Sequence, residues 1–271
     1  MSFREMVQAP RLRSVTQGSI FNHAKCQDFH TDVLGLFISA RCDLAQNKQS
    51  RYIYIPLVKV KAWVDFYLIP KLFCEQRAAL ISAMQNILKQ NNHQPSSVSV
   101  FGAEKAAELL QGTKAYSGYF QKLKELQRVD EMLESGVYDK TVLTPKSIRS
   151  KTDDLISNKI EGVFLIDNVV DYQNGDLSLG SYVAILSEPS SIQRPAALGI
   201  AEGLDHKLVL DHPLEYDCIT PMDGEMSYVM CNVRSPYIEL ILQRFSALYS
   251  RIGVDDPSIE IKEKLAMEAA L

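Results

Sequence analysis

Residues 33–60, VLGLFISARCDLAQNKQSRYIYIPLV within them, constrain the fold of this chain more than any other stretch. Two apolar runs, 33–39 and 52–60, flank a polar segment, 40–51. Leu36, Phe37 and Ile38 stand together, as in a strand buried on both faces, and residues 52–58 are dense in β-formers. The pattern predicts two paired strands. Cys42 and Asp43 fall where the first strand ends, a place where a rigid sheet holds side chains that still reach solvent.

Elsewhere the periodicity changes twice. Residues 17–21 predict a first short strand. Residues 61–68 fit strand or helix. Ala78, Ala79, Leu80, Ala83, Met84, Ile87 and Leu88 recur at three- and four-residue spacing and predict a helix over 72–90. Residues 98–101 read as a short strand. A second helical stretch covers 103–134, interrupted near 112–118, and a third helix opens at Pro145 and runs to 156. The chain then turns β-rich, with strands expected at 162–166, 181–186, 208–210 and 226–232 and a turn at Asn174-Gly175-Asp176. A closing amphipathic helix is expected over 236–252, with Ser235 as N-cap, Pro236 at its first position and Gly253 as its stop. Ile238, Ile241, Leu242, Phe245, Leu248 and Ile252 form its apolar face.

The fold class is therefore α+β: small β-rich units at both ends, a helical middle and a closing C-terminal helix. The expected divisions are 1–70, 71–158, 159–253 and a tail, 254–271. Two arrangements are open. Either each end builds its own β unit, the favoured reading, or both ends join one sheet with a helical insertion.

Composition narrows the function classes. Net charge is −4 with a pI near 5.8, which argues against whole-surface attraction to nucleic acid or an anionic membrane. No apolar run approaches the ~20 residues that span a bilayer, and MSFREMVQAPRLR carries charge and proline where a signal peptide has an apolar core. Five cysteines, an odd number with no CxxC pair, predict reduced thiols in the cytoplasm. No Walker loop, GxGxxG, HExxH or GxSxG is present, so the residues call for no cofactor.

Several clusters are candidate sites. Cys42, near Arg41, Lys48 and Arg51, has the setting of an activated thiol, although a nucleophilic cysteine needs a histidine base that spacing does not place. The plain structural reading is a half-buried cysteine with Asp43 fastening the next turn. A third reading makes Asp43, Lys48 and Arg51 a polar recognition loop. His23, Cys26, His30 and Cys42 offer zinc-type ligands at a spacing that matches no standard finger, so no metal site is assigned. Asp205-His206 and Asp211-His212 read as loop polar residues. Lys59, Lys61, Lys71 and Arg77 lie near Trp63, Phe66 and Tyr67, a pattern that suits single-stranded nucleic acid or, more commonly, core aromatics beside solvated lysines. Arg244 and Arg251, two helical turns apart, are expected to share one side of the closing helix and to offer guanidinium groups to a carboxylate or phosphate.

Ile38-Ser39-x2-Cys42-Asp43-Leu44-Ala45-x2-Lys48 before a strand, together with Arg234-Ser235-Pro236-Tyr237-Ile238-Glu239 through Gln243-Arg244-Phe245 to Arg251-Ile252-Gly253, resembles a poorly characterised group of bacterial proteins with similar ends and a helical middle. The resemblance covers about a quarter of the chain. It implies a bacterial or phage source and a setting in signalling or phage defence, and it carries over no catalytic residue. In architecture the small β units also resemble SH3-like barrels of the toxin-endonuclease type. The leading expectation is a non-enzymatic interaction or regulatory module that acts through a protein partner. A nucleic-acid-binding protein or nuclease is the alternative, and a Cys42-dependent enzyme the third.

Overall fold

The structure is a computed structural model that describes residues 4–29 and 32–250. Its strands are β1 (Val7–Gln8), β2 (Ser19–Phe21), β3 (Leu34–Phe37), β4 (Arg51–Lys59), β5 (Val163–Asp171), β6 (Leu177–Ile185), β7 (Ser190–Gln193), β8 (Leu204–Asp205), β9 (Met226–Ser227) and β10 (Val229–Val233). The helices are α1 (Arg41–Ala45), α2 (Val60–Trp63), α3 (Ile69–Gln90), α4 (Ser97–Phe101), α5 (Ala103–Glu108), α6 (Ala115–Ser135), α7 (Pro145–Ile156), α8 (Arg194–Glu202), α9 (His206–Asp211) and α10 (Tyr237–Tyr249). A π-helical turn, Val64–Leu68, joins α2 to α3.

Strands from both ends of the chain share one sheet, ordered β1-β10-β2-β3-β4-β6-β5, with β7 also on β4. This is the second of the two arrangements open to the sequence, and the favoured pair of separate units is not what forms. The reason is visible in β10, which lies between β1 and β2 and pairs antiparallel with each. Strand β4 is long enough to serve two partners along one edge: residues 51–54 pair with β7 and residues 57–59 with β6.

The sheet curls into a nearly closed, SH3-like barrel. Past β5, the amide of Tyr172 donates to the Met230 carbonyl of β10, and Asp167 of β5 meets Arg4 just before β1. Side-chain alternation then sorts residues between two cores. Leu34, Leu36, Ile55 and Leu57 enter the barrel interior, while Phe37, Tyr52, Tyr54 and Val58 point to the opposite face. The helical segment between β4 and β5 covers that face, and Phe73, Met84 and Leu88 of α3 join the same core. Gly35 opposes Pro56, and the Phe21 ring lies against it where any Cβ would stand, 2.2 Å from the nearest ring atom.

Helix α10 closes the barrel. Ile238 and Ile241 are buried in its interior, and Leu242, Phe245 and Leu248 pack partly buried beside them. The helix begins at Tyr237, with Pro236 at the cap position and no side-chain cap bond, so Ser235 is not the N-cap. Gly253 and Ile252 lie outside the described residues.

Two expected strands are helices. Residues 98–101 form α4, in which Val98 is buried while Val100 and Phe101 face out, a short apolar run that suits either period. Residues 208–210 belong to α9, which the Asp205 carboxylate caps by accepting the Lys207 amide at 2.8 Å. Among the described residues no helix is long and apolar enough to cross a membrane.

Candidate functional site

The Cys42 loop is built by α1. Leu44 is buried and anchors it, and the Asp43 carbonyl accepts the Lys48 amide. The Asp43 carboxylate accepts Gln49 Nε2 at 2.7 Å and the Cys42 thiol at 3.5 Å. The partner of that exposed sulfur is thus a carboxylate rather than an imidazole. Lys48 is exposed, and Arg51 turns away along β4 to donate to Ser191 Oγ at 2.7 Å. Arg41 Nη2 stands 3.5 Å from Glu239 Oε1, so the Cys42 loop touches the closing helix.

Arg244 lines a cleft where the helical insertion meets the barrel. Two adjoining cavities, of about 370 and 280 Å³, share Lys159, Glu161 and Gly162 as a common wall. The larger is bordered by Lys71 of α3, Lys151 and Asp154 of α7, and Trp63; the smaller by Arg244 and Leu248 of α10. Lys151 reaches Glu75 at 3.4 Å, whereas Lys71, Lys159 and Arg244 form no ion pair among the described residues. With Lys151 answered by Glu75, three further cations, Lys71, Lys159 and Arg244, stand against Asp154 and Glu161, a local excess of one positive charge on a chain of net charge −4. Arg251, expected beside Arg244, lies outside the described residues.

Two of the three aromatic groups near this cleft are held in place, and the third, Phe66, is half exposed. Trp63 is 4% exposed and forms a wall. The Tyr67 hydroxyl sits between Glu188 Oε1 at 2.7 Å and Asp28 Oδ2 at 2.9 Å. Burial pushes that phenol up, and the hydrogen bonds to both carboxylates push it further. Phe66 packs on Phe29, with ring centroids 5.1 Å apart. Of the neighbouring cations, Lys59 pairs with Asp32, Lys61 with Asp65 and Arg77 with Asp130. Lys71 alone of that group faces the cleft.

Cys26 is buried, its sulfur 3.8 Å from Glu188 Oε2, and burial pushes its thiol up. His30 lies outside the described residues, and among those described no group of three or more His, Cys, Asp or Glu is placed to hold a metal ion.

Sequence reading missed His206. It is fully buried, not a loop residue. Its Nδ1 accepts the Met222 amide at 2.9 Å, which leaves the proton on Nε2 to be donated to Ser227 Oγ at 2.8 Å. Its own amide donates to the Glu225 carbonyl. The His23 ring stands edge-on to it, centroids 4.7 Å apart. The only signal available was the aspartate before it, which caps α9.

Fold and cleft together define an α+β protein with an SH3-like barrel, a helical insertion and a cationic cleft between them. In comparisons with known proteins, no family model, no curated protein and no solved structure matches the chain.

Proposed function

We propose that the protein is a non-enzymatic interaction module that takes an acidic segment of a protein partner into the cleft lined by Lys71, Lys151, Lys159 and Arg244. The carrying observation is the pair of adjoining cavities lined by these four cations, of which only Lys151 is ion-paired among the described residues, beside Asp154 and Glu161. Carboxylate side chains suit such a site because arginine presents a planar fork to them and lysine a compact charge. Single-stranded nucleic acid is the rival occupant. Inside the cleft it gains little, since stacking needs open aromatic faces and the wall residue Trp63 is enclosed, while the half-exposed Phe66 is packed on Phe29 outside the cavity lining.

On this reading the protein works in the cytoplasm, where its five free thiols stay reduced. The resemblance of its two ends supports a bacterial signalling or phage-defence setting.

The test compares wild type with a Lys159→Glu/Arg244→Glu variant for binding of a labelled glutamate-rich decapeptide and of a labelled oligothymidine. Peptide binding that falls at least tenfold in the variant supports the proposal. Oligothymidine binding that dominates and weakens steeply with salt supports the rival instead.

A further inference from the structure

A third cavity, of about 520 Å³, lies beside His23 and shares no lining residue with the cationic cleft. Its volume lies within the range of small-molecule sites, which are mostly apolar with a few convergent polar groups. Val33, Leu34, Leu179 and Met222 supply apolar wall, and Tyr182 closes one side. The polar groups are His23, Asp32, Lys59 and Glu225, with Thr220.

Three features make this more than a surface hollow. His23 and Asp32 both hold left-handed backbone conformations, φ +57° and +54°, uncommon for a non-glycine residue though His and Asp adopt them more readily than most. Among the described residues no hydrogen bond engages the His23 ring, although the ring is half-buried. The loop that carries Met222 and Glu225 is fastened from beneath by His206 through its Nδ1 and its amide. The cavity wall is therefore preorganised.

Charge decides the ligand class. Lys59 is held by Asp32 at 3.1 Å, whereas Glu225 forms no ion pair among the described residues. Burial, and then the neighbouring His206, pull the His23 imidazole below its ordinary value against the fields of Glu225 and Asp32. A neutral imidazole keeps one ring nitrogen as an acceptor. Glu225, the Asp32 Oδ1 that Lys59 leaves unbonded, and that nitrogen offer three acceptors, which is the number of donors on a primary ammonium.

We propose that this cavity binds a small primary amine with an apolar body, its ammonium received by Glu225, Asp32 and His23 and its hydrocarbon by Leu34, Leu179 and Met222. The reading is independent of the cationic cleft, and either stands without the other.

Isothermal titration of the full chain at pH 7.5 with tryptamine, phenethylamine and hexylamine tests it, with indole-3-acetate as the anion of matched shape. At least one amine is expected to bind with one-to-one saturation, at least tenfold more tightly than indole-3-acetate. Glu225 is exposed, so Glu225→Gln should leave the fold intact while weakening that amine at least fivefold. His23→Ala should weaken it as well. Saturation by none of the amines, equal or tighter binding of indole-3-acetate, or amine binding unchanged in a folded Glu225→Gln protein would each overturn the proposal.

Discussion

The Arg4 guanidinium grips the Asp167 carboxylate across 163 residues of chain, Nε to Oδ2 at 2.8 Å and Nη2 to Oδ1 at 2.9 Å. Two parallel bonds of this kind give geometric specificity as well as energy. They tie the segment before β1 to β5, the two ends of the strand order, and so hold the barrel near closure. The hydrogen bond from Arg4 keeps the Asp167 carboxyl below its usual range, against the opposing effect of burial. A depressed folded-state value means that the contact stabilises above the unfolded carboxyl's value, near pH 4, and that this is lost as pH falls through the lower folded value. Asp167→Asn should cost about 1–2 kcal/mol at pH 7 after allowance for partial exposure. Urea midpoints should show the gap between wild type and Arg4→Ala narrowing on acidification toward pH 3.

His206 fixes the loop that carries Met222 and Glu225 at the cavity beside His23. Its replacement by leucine removes the buried partner of Ser227 Oγ and the acceptor of the partly buried Met222 amide. A loss of about 2–3 kcal/mol is expected, the cost of leaving such groups unsatisfied. Denaturant unfolding measures it, and a change below about 0.5 kcal/mol would show that water replaces the imidazole without penalty.

The closing helix separates two kinds of burial. Ile241 is enclosed in the barrel core, so Ile241→Ala should cost about 2–5 kcal/mol. Phe245 is only partly buried, with its ring 4.9 Å from that of Tyr249. Phe245→Ala should cost less, about 1–3 kcal/mol, in proportion to the smaller area withdrawn from water. The ranking of the two thermal midpoints checks the packing.

Thiol labelling tests the cysteine environments. Cys42 and Cys74 are exposed, whereas Cys26, Cys218 and Cys231 are buried. Burial pushes Cys218 and Cys231 up to about 12. Two thiols in five should react quickly with a disulfide reagent at pH 8 in the native state, and all five after unfolding. If Cys42 outpaces Cys74 by tenfold or more, the Cys42 loop activates its thiol in a way that its contact with Asp43 does not explain.

Strong periodicity was legible in the sequence, and partnership was not. The 33–60 stretch gave paired strands because Leu36 and Ile55 alternate with Phe37 and Tyr54 across a two-sided sheet. The helix at 145–156 and the turn at 174–176 were equally plain, from proline placement and Asn-Gly chemistry. No local pattern announces that β10 slots between β1 and β2, since strands this short pair through register and the covering core. Leu208–Leu210 read as a strand until the Asp205 cap is seen. The cleft was half visible: Arg244 was singled out, but Lys151 and Lys159 come from a helix and a loop that only the fold brings beside it. His206 left no trace beyond its neighbouring aspartate, because its partners are backbone and a serine 21 residues away.

The cleft can be interrogated from inside, because the chain has one tryptophan and that residue, Trp63, lines the larger cavity. Titration of a glutamate-rich decapeptide against Trp63 fluorescence tests the central claim most directly. We expect a saturable change in emission that weakens as salt rises and falls at least tenfold in affinity in the Lys159→Glu/Arg244→Glu variant. A Trp63 signal that stays flat through the titration, or an identical response in a folded charge-reversal variant, would contradict it.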